Sequence, residues 1–118
     1  MNDLHFGEGK FPLVPLGSGD YSRRLLAFGG SLLLATMEFE AGSESAVHSH
    51  AEEQLTWCLS GEFTTSVGGI AGRLRPGDFF HADKGVPHGV RCVVAGTLIH
   101  AFTPQREEYK EAPPDAAS

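Results

Sequence analysis

Cysteine is scarce in this chain: Cys58 and Cys92 are the only two among 118 residues. Two thiols do not make a disulfide framework, so the fold must rest on a packed core. Long apolar runs are missing as well. Leu32 to Ala35 is typical of the runs present, far short of the roughly 18 residues that a membrane-spanning helix needs. The N-terminus, MNDLHFGEGK, carries an acidic residue and no apolar stretch, so no secretory signal is expected and a cytoplasmic protein is the default. Basic residues are few: nine Lys and Arg against fifteen Asp and Glu give a net charge of -6. The nine are scattered along the chain, which argues against a nucleic-acid surface. Neither nucleic acid nor membrane is therefore an expected partner.

What remains is an ordinary globular composition, 41% apolar and 20% charged, in a chain long enough for one domain and too short for two. Gly and Pro punctuate short apolar runs. Residues 1–20 mix the two types without a period, as in FPLVPLGSG, and read as an N-terminal arm free to pair with a partner subunit; His5 within it reads as a surface residue. Tyr21 to Phe28 and Ser31 to Phe39 flank Gly29-Gly30, a hairpin signal. Leu32, Leu33 and Leu34 could begin a helix, but the flanking Gly and the Glu38-Phe39-Glu40 alternation favour a strand. Further strands are expected at Leu55 to Leu59, Phe63 to Val67, Phe79 to Ala82, Val90 to Val94 and Thr97 to Thr103, separated by Ser60-Gly61, Gly68-Gly69, Pro76-Gly77-Asp78 and Gly96. About nine or ten short strands with turns between them make a sandwich or barrel, spanning 21–109. A single helical turn is expected around Gln105 to Glu111, and 110–118 has a disordered composition.

The most informative stretch is Gly42 to Gly61, GSESAVHSHAEEQLTWCLSG, which reads as a metal-binding hairpin. His48 and His50 are two residues apart and on a strand would share a face. Gln54 has the same parity, which Glu53 lacks. His88 lies in a second segment, PGDFFHADKGVPHGV. Three imidazoles and one amide oxygen suit a divalent first-row transition metal: Ni, Fe, Mn, Co or Zn. A neutral shell leaves the full double positive charge on the ion, which favours Lewis-acid polarisation over redox cycling.

These spacings resemble the cupin family. Its first motif, G-x5-H-x-H-x(3,4)-E-x6-G, falls on Gly42, His48, His50, position 54 and Gly61, with Gln54 in place of the usual glutamate. Its second, G-x5-P-x-G-x2-H-x3-N, falls on Gly77, Asp83, Gly85, His88 and Cys92, losing the proline and the asparagine. The resemblance implies an all-β jelly-roll barrel, the double-stranded β-helix. Within the cupins, the runs HSHAEEQLTWCLSGEF, GVPHGV and FTPQREEY resemble the small pectin-degradation cupins, which open 4,5-unsaturated uronates into linear keto sugars. That likeness implies His48, His50, Gln54 and His88 as metal ligands, a small acidic substrate and a homodimer. It also implies catalytic roles for Phe102 and Arg106, and it puts His100 at a position where the family has an aspartate.

The residues themselves leave several alternatives open. Strand alternation places Leu98, His100 and Phe102 on one face, so His100 either moves a proton near the metal or is a core histidine bonded to backbone. Arg106 either holds a substrate carboxylate in bidentate fashion or is solvated beside Glu107 and Glu108. His81 is a weaker candidate for the cavity. Cys92 either fills the core, like Cys58, or faces the metal cavity. Two other function classes fit the same barrel: an iron-dependent dioxygenase and a non-catalytic small-molecule-binding cupin.

Overall fold

The computed structural model describes residues 5–110; residues 1–4 of the expected arm and 111–118 of the expected tail lie outside the described residues. In chain order the strands are β1 (Leu13–Leu16), β2 (Tyr21–Gly29), β3 (Leu32–Phe39), β4 (Glu44–His48) and β5 (Glu53–Cys58). They continue as β6 (Glu62–Val67), β7 (Ile70–Leu74), β8 (Phe79–Ala82), β9 (His88–Val94) and β10 (Gly96–Thr103), followed by a 3₁₀ turn at Glu107–Tyr109. Two antiparallel sheets face each other, a six-stranded one in the order β1-β2-β3-β10-β5-β8 and a four-stranded one in the order β4-β9-β6-β7. This is the all-β two-sheet architecture that the strand count and turn spacing predict, in the jelly-roll form that the cupin resemblance implies. No helix among the described residues is long and apolar enough to cross a membrane.

The run Gly42 to Gly61 is not the hairpin expected from its sequence. β4 pairs with β9 in one sheet, and β5 pairs with β10 and β8 in the other. The reason is burial. β5 hides Gln54, Thr56 and Cys58 on one face, which demands an interior place in a sheet, whereas the largely exposed β4 takes an edge. Four residues of the expected arm also form a strand: β1 pairs with β2 of its own chain from Leu13↔Arg24 to Leu16↔Tyr21. Its Pro15 is tolerated because β1 is an edge. The β2–β3 hairpin closes at Gly29↔Leu32, so its loop is Gly30-Ser31, one residue later than the glycine pair suggests.

One motif glycine has a steric cause. Gly61 sits at φ 81°, and a Cβ there would lie 2.5 Å from Val94 O, so neither the dihedral nor the space admits a side chain. The core lies between the sheets in two adjoining clusters. Phe39, Cys58, Phe63, Leu74, Cys92 and Leu98 fill one, with Phe39 stacked on Tyr21 and edge-on to Phe63. Leu25, Leu33, Ala35, Phe102 and Tyr109 fill the other. On the outer face of the six-stranded sheet, Leu32, Leu34, Leu55, Trp57 and Phe79 remain exposed.

Candidate metal centre and active site

Three segments from both sheets bring the expected ligands together. His48 ends β4 and His88 begins β9, directly opposite each other. They meet because the ladder slips between Ser45 and His48, a β-bulge that re-aims the strand end. His50 belongs to no strand; it lies in the loop that crosses from β4 to β5, held by the Gly85 amide donating to His50 O at 2.9 Å. The first and second motifs are thus tied by backbone. Gln54 reaches in from β5, buried to 4% exposure.

Candidate ligand atoms of His48, His50 and His88 lie within 4.8 Å of one another. Each Nδ1 lies 2.9 Å from a backbone carbonyl, of Ala46, Glu52 and Val86 respectively. Carbonyls only accept, so each Nδ1 carries the proton and each Nε2 turns a lone pair inward. His88 Nε2 is buried without a protein partner. His50 Nε2 lies 2.9 Å from Gln54 Oε1, an acceptor facing an acceptor in a neutral imidazole. A cation between them relieves that opposition, and the residues present therefore fit a divalent metal with an N₃O donor set. Burial, reinforced by the nearby Arg106 charge, holds the His50 pKa below its ordinary value. Burial does the same at His88. Both are neutral near pH 7, as ligation requires.

The expected catalytic residues surround this cluster. His100 on β10 is 4% exposed, and burial pushes its pKa down to about 3. Its Nδ1 meets the Thr56 hydroxyl at 2.7 Å and Gln54 Nε2 at 3.1 Å. An amide NH₂ cannot accept, so His100 keeps its proton on Nε2, which is buried without a protein partner. Phe102 stacks near His100 and lies edge-on to His50, with ring centroids 5.9 and 5.7 Å apart. Arg106 packs over Phe102 and Tyr109. It is not the solvated arginine of the alternative reading: its side chain is only 13% exposed. It pairs with Glu108 and, at 3.8 Å, with Glu52. Met37, Ser45, His48, Gln54, His100 and Arg106 are among the residues bounding a cleft of about 20 Å³, room for one water-sized or ion-sized sphere. None of the residues lining it is acidic. His48 is exposed while His88 is buried, so the cleft opens on the His48 side.

One weaker expectation is corrected, and the open choice for Cys92 is decided in favour of the core. His81 does not look into the cavity; it points outward and bonds Glu53 Oε2 at 2.6 Å, because β8 turns Phe80 and Ala82 inward instead. Cys92 is 1% exposed and belongs to the core with Cys58, its thiol donating to Val94 O at 3.1 Å. Tyr109, which lines the cleft, and Thr56, which bonds the lining residues Gln54 and His100 from behind, were missed by sequence reading. Thr56 carried a usable signal, since it has the parity of Gln54 on β5; Tyr109 carried none, because a turn rather than a periodic element places it.

A two-sheet jelly roll whose strand ends gather three histidines and a glutamine defines the class of protein. The cupin domain family matches residues 35–99, and the chain belongs to that family. The pectin degradation protein KdgF of Dickeya dadantii (strain 3937) is 27% identical over 107 residues, covering 89% of this chain and 96% of that protein. Among solved structures, an RmlC-like cupin from Shewanella frigidimarina NCIMB 400 superimposes with a TM-score of 0.81 at 34% identity, covering 89% of this chain and 95% of that one. KdgF from Halomonas sp. superimposes with a TM-score of 0.78 at 24% identity, covering 82% and 89%.

Proposed function

We propose that this cupin is a metal-dependent enzyme that opens the ring of 4,5-unsaturated uronates. The observation that carries the reading is the lining of the cleft: neutral ligands, one largely shielded arginine whose acidic partners Glu52 and Glu108 lie outside the lining, and no lining carboxylate. Such a site favours a small anion. A divalent ion held by His48, His50, Gln54 and His88 supplies Lewis-acid polarisation of an oxygen next to the substrate carboxylate.

The reaction is an isomerisation. The hemiacetal carbon–oxygen bond of the ring breaks, the anomeric hydroxyl loses its proton to become an aldehyde, and the ring oxygen becomes an enol. That enol turns into a ketone when carbon takes up a proton. Arg106 binds and orients the carboxylate, as a guanidinium fork does. Phe102 holds Arg106 over its ring face and meets His50 edge-on. His100 offers its Nε2–H, on the buried nitrogen that no protein group meets, as a hydrogen-bond donor to the substrate oxygen on which charge develops. The KdgF relative, named as a pectin degradation protein, supports the uronate class.

The expected homodimer belongs to the same proposal. The exposed Trp57, Phe79 and Leu55 on the outer sheet face favour burial against a second copy, which light scattering on the eluting protein would register as twice the chain mass.

The direct test follows absorbance of the unsaturated-uronate band with metal-loaded protein and 4,5-unsaturated galacturonate. Loss of the band is expected for the wild type and not for His48→Ala, with His100→Ala slower by about 10²-fold or more. A stable band with metal demonstrably bound would overturn the substrate and turn attention to oxygen-dependent chemistry at three histidines.

A further inference from the structure

Thr56 touches neither the cleft nor the histidine triad, yet it sits where two of the site's orientations are decided. It is 0% exposed, it lies two residues beyond Gln54 on β5, and it is the cross-strand partner of His100 on β10. Its Oγ1 accepts Gln54 Nε2–H at 2.8 Å and lies 2.7 Å from His100 Nδ1. Gln54 Nε2 also reaches that Nδ1, at 3.1 Å. Every bond runs one way. The Gln54 amide donates to Thr56 and His100, Thr56 donates to His100, and the His100 proton is left on Nε2. With both amide hydrogens used at this end, Gln54 Oε1 must face His50.

We propose, resting on the metal reading of the same site, that Thr56 is the positioning residue that couples Gln54 to His100 and holds the chain Gln54→Thr56→His100 in the setting a cation selects. It fixes at once the oxygen that Gln54 offers a cation and the Nε2–H that His100 offers a bound anion. The reverse setting is chemically coherent: with the amide turned over, nitrogen faces the triad, His100 carries its proton on Nδ1, and the cleft loses its N–H donor. A cation selects the first setting because only the oxygen can ligate it. The cleft therefore presents a neutral N–H donor. A ligand must meet it with an acceptor, such as an enolate or carbonyl oxygen, and one presenting a donor there is rejected.

The test uses the zinc ion alone as probe. The dissociation constant of zinc is measured by calorimetry, and the His100 tautomer by ¹⁵N NMR of the zinc-loaded protein. The wild type should show a protonated Nε2. Thr56→Val keeps the shape and removes the hydroxyl; it should weaken zinc binding by about 10- to 100-fold, the usual cost of losing a group that orients a ligand, and mix the tautomers. Thr56→Ser should restore both. Thr56→Ala serves if the valine variant does not fold. Unchanged affinity and tautomer in the valine or alanine variant would overturn the role of Thr56, as would a serine variant no better than valine. Failure of the wild type itself to bind zinc would instead overturn the metal reading, and this proposal with it.

Discussion

His48 and His88 stand opposite each other because two residues of β4, Ala46 and Val47, are matched by the single residue Gly89 on β9. The ladder pairs Ser45 with Val90 and then His48 with His88. Without that bulge, strict alternation would carry His48 to another register, since a slip of one residue exchanges the two faces. Their ring centroids lie 4.7 Å apart. The ligand pair is thus a product of backbone irregularity in an otherwise regular sheet.

Gly89 is what allows the bulge to close. A Cβ there would lie 2.9 Å from Val47 N and 3.0 Å from Ser45 O, both backbone atoms that can move only with β4. Gly89→Ala is expected to cost about 1–3 kcal/mol of stability, as overpacking does, and to weaken zinc binding by about tenfold through displacement of His48. Urea unfolding and zinc calorimetry check both. A variant with unchanged midpoint and affinity would mean that the bulge does not set the histidine.

The fold was legible because its signals are local. Alternation on β5 and β10 placed Gln54, Leu98, His100 and Phe102 inward, where they are buried, and glycine-rich turns marked most strand ends. The ligand set was legible because motif spacing encodes strand length plus turn length. What could not be read is which sheet each strand joins. Gly42 to Gly61 looks like a hairpin locally, and only the competing demands of β9, β10 and β8 separate its halves. The same cause hid the role of Thr56: parity with Gln54 could place it inward, but its importance comes from His100, 44 residues away in sequence, and no local pattern couples the two. Arg106 was ambiguous for a related reason, because its shielding comes from Phe102 and Tyr109 rings rather than from its acidic neighbours alone.

The buried histidines predict how stability responds to acid. Burial lowers the pKa of His50, His88 and His100 from the ordinary 6.5, that of His100 to about 3. In the unfolded chain all three titrate near 6.5, so below that pH the unfolded state takes up protons that the folded state refuses. Stability is therefore full above about pH 6.5 and falls as pH drops from there toward 3. For His100 alone, at about 1.4 kcal/mol per unit, the loss between pH 6.5 and 5 is about 2 kcal/mol. Urea unfolding of chelator-treated protein at pH 7 and pH 5 measures it. His100→Leu should flatten the dependence by that amount, and a variant with the wild-type slope would contradict the burial argument.

Gln54→Glu tests whether the neutral shell matters, since it installs the acid that the first motif usually carries. A carboxylate offers no hydrogen to Thr56 or to His100 Nδ1, both of which face the Gln54 amide nitrogen at 2.8 and 3.1 Å. Thr56 would then donate to the new carboxylate, and His100 would move its proton to Nδ1 to meet the new acceptors, emptying Nε2 on the cleft side. The added negative charge should tighten zinc binding while weakening the ion as a Lewis acid and repelling an anionic substrate. The expected result is a variant that binds zinc at least as well as wild type yet opens unsaturated galacturonate about 10²-fold more slowly, with the His100 tautomer reversed by ¹⁵N NMR. Opposite movement of affinity and rate is the informative outcome, because a merely misfolded site would lose both together. Full activity with the reversed tautomer would show that neither the neutral shell nor the Nε2–H donor is needed.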